Sequence, residues 1–543
     1  MYYKKSQLGI LAVLLVALFG IFSVSAQDSG NVLRIATASS GSSSFEFNAL
    51  EAGADQQNWT TLQYVPPMYF DADLKLQPGY FASWEANDDS TVWTFKLDPR
   101  AKWSDDTPMT AQQVVDSWQI QVAPINNVGR ISSYLGNVAG FDDARANAAA
   151  DAMTVDVSGL KALDDSTVQV TLVDPDPAFY WRIATAHMSV AYAENVLKYG
   201  WTEYWKPENN PIVNGPFILT AFDENVQTAE MTPNPNWWMD EGPYLDKVTF
   251  QFVPDQQIIG AMVLNNQVDA SLAPIPSALK DQVPDYFRPI KVIGFNTFWL
   301  KPTAEPTDDV NVRKALILSV DWNAVFQAAF PIPGTGEPTT QPMDNVLNCY
   351  DPSLTGYPYD VEGAKAALAA SKYGSAENLP KLRVTPRGSN EFNNRALQAV
   401  MEFWRQNLGI ENVEFQQTPD GFGDDLPLLN LTRDDVPIRF PDGATYMWAA
   451  ARTDGPTTSV GSALEGYSNP DLDALVDQAL TLGVDDPQRC DLTRQAQDLF
   501  INDYVMAHFG KPVATINARD YVENYIKGPD ISLIEPWKIK INH

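Results

Sequence analysis

The chain has 543 residues, more than one hydrophobic core normally serves, so two or three compact units are expected. Hydrophobic residues make up 45% of it, which excludes a mainly disordered protein. The formal net charge of −31 excludes a surface that attracts nucleic acid or anionic lipid, because both repel a strongly acidic protein.

The first 26 residues have the pattern of a secretory signal. Lys4 and Lys5 precede a mainly apolar run over residues 8–24, and a small-residue end follows at Ala26. We expect cleavage after Ala26, which removes two lysines and no acid and takes the net charge from −31 to −33. The alternative is an uncleaved membrane anchor, for which the run is short of the roughly 20 residues that span a bilayer. A periplasmic or extracellular location is predicted, with anchoring left open.

The segment after the signal is rich in strand patterns. Residues 32–36 predict a short strand that leads into a small-residue loop, an order that suits the edge of a cleft. A turn separates residues 83–86 from an alternating run at 91–97, which predicts a hairpin. Similar turn chemistry precedes an alternating strand at 168–172, and residues 216–231 predict another hairpin.

Helix signals dominate after about residue 305. Capping residues that precede helical apolar spacing there are Asp309, Asp360, Asn469 and Asp486, and Thr110 is an earlier one in the strand-rich part. Apolar residues at helical spacing also predict a helix over residues 391–408 that ends at Gly409, followed by a strand at 413–415. This organisation predicts two α/β lobes with a smaller β-rich insertion.

Only two cysteines are present, Cys349 and Cys490. Export would permit a disulfide between them, and two buried free thiols are the alternative. The sequence does not decide between these.

Five separated segments carry a family resemblance. They are PGYFASWE (78–85) continuing through WTFKL (93–97); AKWSDDTPMTA (101–111); NGPF (214–217) with PNPNWW (233–238) and YLDKV (244–248); VRKAL (312–316) through SVD (319–321); and GYSNPDLDAL (466–475). In this order, behind a secretory signal, they resemble the peptide/nickel class of extracellular solute-binding proteins, called family 5.

The resemblance implies an α/β, bilobal periplasmic-binding-protein-like fold of type II, cluster C, with an extra β-rich domain inserted in the first lobe. The implied division is lobe I at 27–69, 165–290 and 511–543, the inserted domain at 70–164, and lobe II at 291–510, with hinge strands near 293–300 and 505–513. Such a protein is a monomeric, extracytoplasmic subunit of an ABC importer. It captures oligopeptides or similar solutes between the lobes and delivers them to a membrane permease.

Peptide-binding members often carry Trp-x-x-Asp-Tyr-x-Asp-Pro on a strand that pairs with the ligand main chain, and the first Asp binds the peptide ammonium. The stretch that resembles it here predicts ligand contacts from Met447, Trp448, Ala449, Ala451, Arg452 and Asp454. Trp448 and Asp454 match, whereas Ala451 replaces the ammonium-binding Asp. A non-peptide solute, either an oligosaccharide or a nickel chelate, therefore stays open.

Arg452 has two interpretations. It could bind a carboxylate or phosphate on the solute, or pair with a nearby acid such as Asp454. Across the cleft, the resemblance places Glu51 and Gly53 on a first-lobe loop near the ligand, with a solvated loop acid as the favoured interpretation of Glu51.

Aromatic residues outside this stretch are predicted to be core. Trp237 and Trp238 could form a sugar platform, but in family terms that position packs the first lobe. Trp93, Trp103 and Trp118 lie in regular strand or helix patterns and are also predicted to be buried.

The rival class is a secreted hydrolase. The chain has three histidines, His187, His508 and His543, and none lies in H-E-x-x-H or at metal-ligand spacing from another. No G-x-S-x-G elbow or phosphate loop occurs, and no carboxylate pair stands out. The sequence therefore predicts a binding protein without catalytic residues, metal or cofactor.

Overall fold

The computed structural model describes residues 30–37, 48, 50, 57–128, 131–272, 275–290, 296–341, 343–386, 391–416, 431–434, 440–459, 462–513, 515–527 and 532–542. The predicted signal segment lies outside these ranges. Within them, no helix combines the length and the apolar character needed to cross a membrane.

The strands, in chain order, are β1 (Val32–Thr37), β2 (Met68–Phe70), β3 (Leu76–Pro78), β4 (Phe81–Ala86), β5 (Val92–Leu97), β6 (Leu160–Asp164), β7 (Thr167–Thr171), β8 (Phe217–Asp223), β9 (Thr228–Pro233), β10 (Lys247–Phe252), β11 (Ala270–Ser271), β12 (Asn296–Leu300), β13 (Gly336–Glu337), β14 (Leu382–Thr385), β15 (Val413–Phe415), β16 (Leu431–Asp434), β17 (Met506–Pro512), β18 (Val522–Glu523), β19 (Ile526–Lys527), β20 (Leu533–Ile534) and β21 (Lys540–Ile541).

The α-helices are α1 (Gln57–Gln63), α2 (Ala111–Val122), α3 (Ile131–Leu135), α4 (Phe141–Ala146), α5 (Phe179–Arg182), α6 (Ala193–Tyr199), α7 (Gln256–Leu264), α8 (Val310–Leu318), α9 (Trp322–Ala329), α10 (Val361–Ala370), α11 (Glu391–Leu408), α12 (Gly443–Ala451), α13 (Pro470–Leu480) and α14 (Pro487–Asn502).

A five-stranded sheet with the order β11-β1-β10-β9-β8 organises the first half of the chain. Strand β1 runs parallel to β10 and β11, and β9 is antiparallel to both β8 and β10. Leu33 and Ile35 of β1 are buried, whereas Arg34 reaches an acid, Asp269. We call the part of the chain that packs around this sheet lobe I.

A four-stranded sheet with the order β4-β5-β7-β6 covers residues 81–171. The predicted hairpin is confirmed, and the alternating Trp93, Phe95 and Leu97 are buried in a core that continues into lobe I. Helix α2 begins at the predicted capping box, in which Thr110 accepts a hydrogen bond from the Gln113 amide. The limits of an inserted domain stay a prediction.

A six-stranded sheet with the order β13-β17-β12-β16-β14-β15 organises the second half. We call the part of the chain that packs around it lobe II, and its cores include the apolar faces of α8, α11 and α14. The predicted helix caps Asp309, Asp360, Asn469 and Asp486 are all confirmed, because each side chain accepts a hydrogen bond from a first-turn amide.

The chain passes from lobe I to lobe II and back, and the described segments that flank these two crossings pair with each other. Strands β12 and β17, which follow the first crossing and precede the second, pair antiparallel inside the sheet of lobe II. On the lobe I side, Pro289 and Thr515 form an isolated antiparallel bridge. Both crossings fall near the predicted hinge ranges, and bending there stays a prediction.

Cys349 and Cys490 form a disulfide, which resolves the alternative that the sequence left open. The bond joins the segment before α10 to the first turn of α14. It closes a loop with a sequence separation of 141 residues, so the chain-entropy model assigns it about 4–5 kcal/mol of stabilisation.

The predictions for the aromatic residues are also confirmed. Trp103 and Trp118 have no exposed surface, and Trp238 is buried with its indole N–H donated to the Asn214 carbonyl. Trp237 is half-buried and packs against Trp537 at a ring-centre distance of 5.2 Å. Trp237 and Trp238 thus pack lobe I as predicted.

Candidate functional site

Trp448 lies on α12 and is half-buried, unlike its neighbours. Met447, Ala449 and Ala451 are completely buried in a core of lobe II. The expectation of a strand here is wrong, because residues 443–451 are helical and their backbone groups largely bond one another. Helix α12 therefore cannot pair with an extended solute as an added strand, and Trp448 is its most accessible side chain.

Arg182 of lobe I lies over the ring of Trp448. Its guanidinium carbon is 5.9 Å from the centre of the Trp448 ring and 6.0 Å from that of Phe440. Asp176, which is buried, orients the guanidinium by accepting hydrogen bonds from Nε at 3.1 Å and Nη2 at 2.9 Å. A cation over an indole face in a partly desolvated place is attracted by about 1–2 kcal/mol.

Phe440 makes this a true contact between lobes. It precedes α12 in lobe II, yet it is 5% exposed and belongs to the hydrophobic core of lobe I. Its packing and the Arg182 contacts bring α5 of lobe I against the start of α12. The arrangement is therefore a polar and aromatic seam, which we call the Trp448 seam (Arg182, Asp176, Phe440 and Trp448).

A buried ion pair fixes the start of α12. Asp442 caps the helix by accepting a hydrogen bond from the Thr445 amide, and Arg489 binds its two carboxylate oxygens at 3.1 and 2.5 Å. Neither Asp442 nor Arg489 is exposed. Burial alone would raise the pKa of Asp442, but the charge and hydrogen bonds of Arg489 lower this pKa below its usual value. The carboxylate is thus ionised and holds α12 to α14.

The disulfide lies beside residues that contact the start of α12. The Asn348 side-chain oxygen accepts a hydrogen bond from the Gly443 amide at 2.7 Å, and the Asn348 amide donates to the Pro441 carbonyl at 2.9 Å. Next to Asn348, Cys349 is bonded to Cys490, the neighbour of Arg489. Trp448 is consequently carried by a helix whose start is held by Arg489 and Asn348, and the disulfide joins the two segments that carry these residues.

Arg452 pairs with an acid, but not with the one we expected. Its Nε and Nη2 donate to the carboxylate of Asp477 at 2.6 and 3.2 Å, and these bonds raise the pKa of Arg452. Asp454 is exposed and adopts a left-handed backbone with φ of 62°. Ligand contact by Arg452 or Asp454 stays a prediction.

The structure brings three further residues, Arg182, Asp176 and Phe440, to Trp448, whereas two predicted site residues are not described. Glu51 and Gly53 lie outside the described residues. Sequence reasoning missed Arg182, Asp176 and Phe440. For Asp176 and Arg182, the one local signal is that they flank the aromatic run at 179–181.

Two of the three histidines have structural partners, and the third, His543, lies outside the described residues. His187 stacks on Tyr134 in lobe I, and Nδ1 of His508 lies 2.9 Å from the Thr297 hydroxyl in lobe II. Over the described ranges, no three or more His, Cys, Asp or Glu side chains are grouped to hold a metal ion.

Comparison with known proteins gives a consistent picture. The sequence profile of the family described as "Bacterial extracellular solute-binding proteins, family 5 Middle" matches residues 75–459. The periplasmic oligopeptide-binding protein OppA of Escherichia coli is 26% identical over 479 residues, which cover 84% of each chain. The heme-binding protein A of Haemophilus influenzae is 24% identical over 84% of this chain and 82% of its own.

A solved structure agrees in fold. OppA of Haemophilus influenzae, in complex with the peptide RPPGFSPFR, superposes with a TM-score of 0.71 over 95% of this chain and 99% of its own, at 22% identity. The predicted bilobal α/β fold of the periplasmic binding proteins is thereby confirmed.

Proposed function

This chain belongs to family 5 of the bacterial extracellular solute-binding proteins, and we propose that it is the subunit of an ABC importer that captures a peptide or peptide-like solute between its lobes. Membership in a family of binding proteins sets aside the secreted-hydrolase alternative. The curated relative from Escherichia coli is named for oligopeptides and for the periplasm, which supports a peptide-like solute and an extracytoplasmic location.

The Trp448 seam is the observation that carries the proposal. Arg182 from one lobe contacts Phe440 and Trp448 from the other, so the lobes can close on a solute there. A solute that contacts both sides of a seam favours the closed form, because only that form offers both sets of contacts. The energy for transport would then come from permease and ATPase subunits in the membrane, to which the closed protein delivers its solute.

A second candidate is a solute without a free ammonium group. Ala451 replaces the family's ammonium-binding Asp, and it is completely buried in α12. The relative named for heme shows that names in this family extend beyond peptides. The oligosaccharide and nickel-chelate alternatives belong to this candidate.

Calorimetric titration with tri- to pentapeptides tests both candidates, using each peptide with a free and an N-acetylated amino terminus. We expect binding by the wild type and a loss of over tenfold with Trp448→Ala, at a nearly unchanged melting temperature. Trp237→Ala is the matched control, because Trp237 is also half-buried but packs within lobe I. Its affinity should equal that of the wild type.

The outcomes separate cleanly. An unchanged affinity in Trp448→Ala removes Trp448 from the site, and a wild type that binds no peptide contradicts the peptide proposal. Equal affinity for free and acetylated peptides favours the second candidate, whereas a strong preference for the free amino terminus excludes it.

A further inference from the structure

Lobe II contains a polar cavity of about 270 Å³ beside β13 and the end of β17. We call it the β13 cavity; Glu337, Thr340, Asp344 and Lys511 are among the residues that line it. Strands β17 and β12 separate β13 from β16, the strand that precedes α12 and Trp448. A volume of this size has room for several water molecules or for one small organic molecule.

The charges in its wall are arranged around one ammonium group. Lys511 Nζ lies 3.1 Å from Asp344 Oδ1 and 3.4 Å from Glu337 Oε2, and it donates to the side-chain oxygen of Asn345 at 3.4 Å. Asp344 and Lys511 are buried, whereas the Glu337 side chain is 47% exposed. Two carboxylates share one cation, so the wall repels an anion, and a cationic guest would have to compete with Lys511.

The rest of the wall consists largely of neutral hydrogen-bonding groups. The side chains of Asn323, Thr339, Thr340, Gln341 and Tyr350 line the cavity. Across the part of the chain that the structure describes, none of these five side chains hydrogen-bonds to another residue. Their amide and hydroxyl groups are therefore available to a guest.

We propose that the β13 cavity binds a small neutral polyhydroxylated molecule of monosaccharide size. Carboxylates only accept hydrogen bonds and an ammonium group only donates them, whereas amide and hydroxyl side chains do both. A sugar hydroxyl also does both, so a ring that carries several hydroxyls can satisfy all of these groups at once. An apolar guest would leave them unpaired, which is costly. Arg182, Asp176, Phe440 and Trp448, which form the Trp448 seam, are not among the residues that line the cavity.

Calorimetric titration of the full chain with D-glucose, D-galactose, D-mannose, D-xylose and myo-inositol tests this site. We expect at least one of them to bind with a Kd of about 10 mM or lower. Glu337→Gln should weaken that binding about fivefold or more, because a charged acceptor is lost. Glu414→Gln is the matched control, because Glu414 is also 47% exposed and 3.3 Å from a lysine but lies on β15 outside the cavity. It should change nothing.

Further variants test whether the sugar binds in the β13 cavity. Thr340→Trp should abolish the binding by filling the cavity, with Gln341→Ala as a milder substitute if that variant does not fold. Trp448→Ala should leave sugar binding intact, even where it removes peptide binding. The proposal is overturned if none of the five compounds binds the wild type, if Glu337→Gln and Thr340→Trp (or Gln341→Ala in its place) both bind normally, or if Trp448→Ala abolishes sugar binding.

Discussion

Arg489 in lobe II and Lys527 in lobe I are both buried basic residues, and the desolvation of their charges is compensated differently. In lobe II, Arg489 binds both oxygens of Asp442 and donates to the carbonyls of Ala479 and Leu482. In lobe I, Lys527 is 7% exposed, and its one hydrogen bond to a described residue goes to the Leu272 carbonyl at 3.2 Å. No acid faces this ammonium group within the described residues.

This comparison shows that a buried basic group stays charged when a buried acid offsets its desolvation. With no acid to offset desolvation, burial lowers the pKa of Lys527 to about 8. Arg489 instead has a buried carboxylate, and that carboxylate caps the helix that carries Trp448. The cation in lobe II thus supports the proposed solute site, whereas the cation in lobe I lowers the stability of its own lobe near neutral pH.

The largest expected effect comes from removing the compensated cation. Arg489→Met leaves the buried Asp442 carboxyl without its charge partner, so we expect a loss of about 3–5 kcal/mol in the free energy of unfolding. Urea denaturation measures it. Adding Asp442→Asn to this variant should restore part of the loss, because Asn keeps the helix cap without the charge. A loss under about 1 kcal/mol in Arg489→Met would contradict a dry, coupled pair.

The second largest effect is a gain in the free energy of unfolding, expected when the buried Lys527 is replaced. The unfolded chain binds a proton at Lys527 up to its ordinary pKa of 10.5, whereas the folded chain releases it near pH 8. The stability of the wild type relative to Lys527→Met should therefore rise as the pH increases from about 8 to 10.5. Below pH 8, Lys527→Met should be the more stable protein by about 3 kcal/mol.

Urea denaturation of both proteins at pH 7, 9 and 10.5 measures this difference. Lys161→Met is the control, since Lys161 is exposed on β6 and its loss should change stability by about 0.5 kcal/mol or less at each pH. A wild type that stays more stable than Lys527→Met at pH 7 would show that Lys527 has a compensating partner.

The smallest effect concerns a cation at the surface. The Arg452 and Asp477 side chains are 32% and 51% exposed, so Arg452→Met should cost about 1 kcal/mol or less, and less still at high salt. Because Asp477 already engages the guanidinium, we expect solute affinity to change by under about threefold, again with the peptide titration as the measurement. A loss of affinity without a loss of stability would instead make Arg452 a ligand contact.

Much of the fold could be predicted from the sequence because the signals are local. The hairpin at residues 83–97, the helix at 391–408 and the caps Asp309 and Asp360 each depend on neighbours a few residues away. The family resemblance over five ordered segments likewise predicts the bilobal architecture.

The geometry around Trp448 was decided by tertiary structure. The resemblance located Trp448 but suggested a strand, whereas Asp442, held by a buried arginine from α14, caps a helix there. Arg452 pairs with Asp477 and not with Asp454, which is nearer in the sequence.

The sequence by itself determined many of the helices and strands, the family and the type of protein. Only the tertiary structure decided that Arg182 meets Trp448 and that Cys349 meets Cys490. The physical reason is that caps and alternation act over a few bonds of the chain. Ion pairs, ring contacts and disulfides, in contrast, depend on which distant segments the folded core brings within a few ångströms of each other.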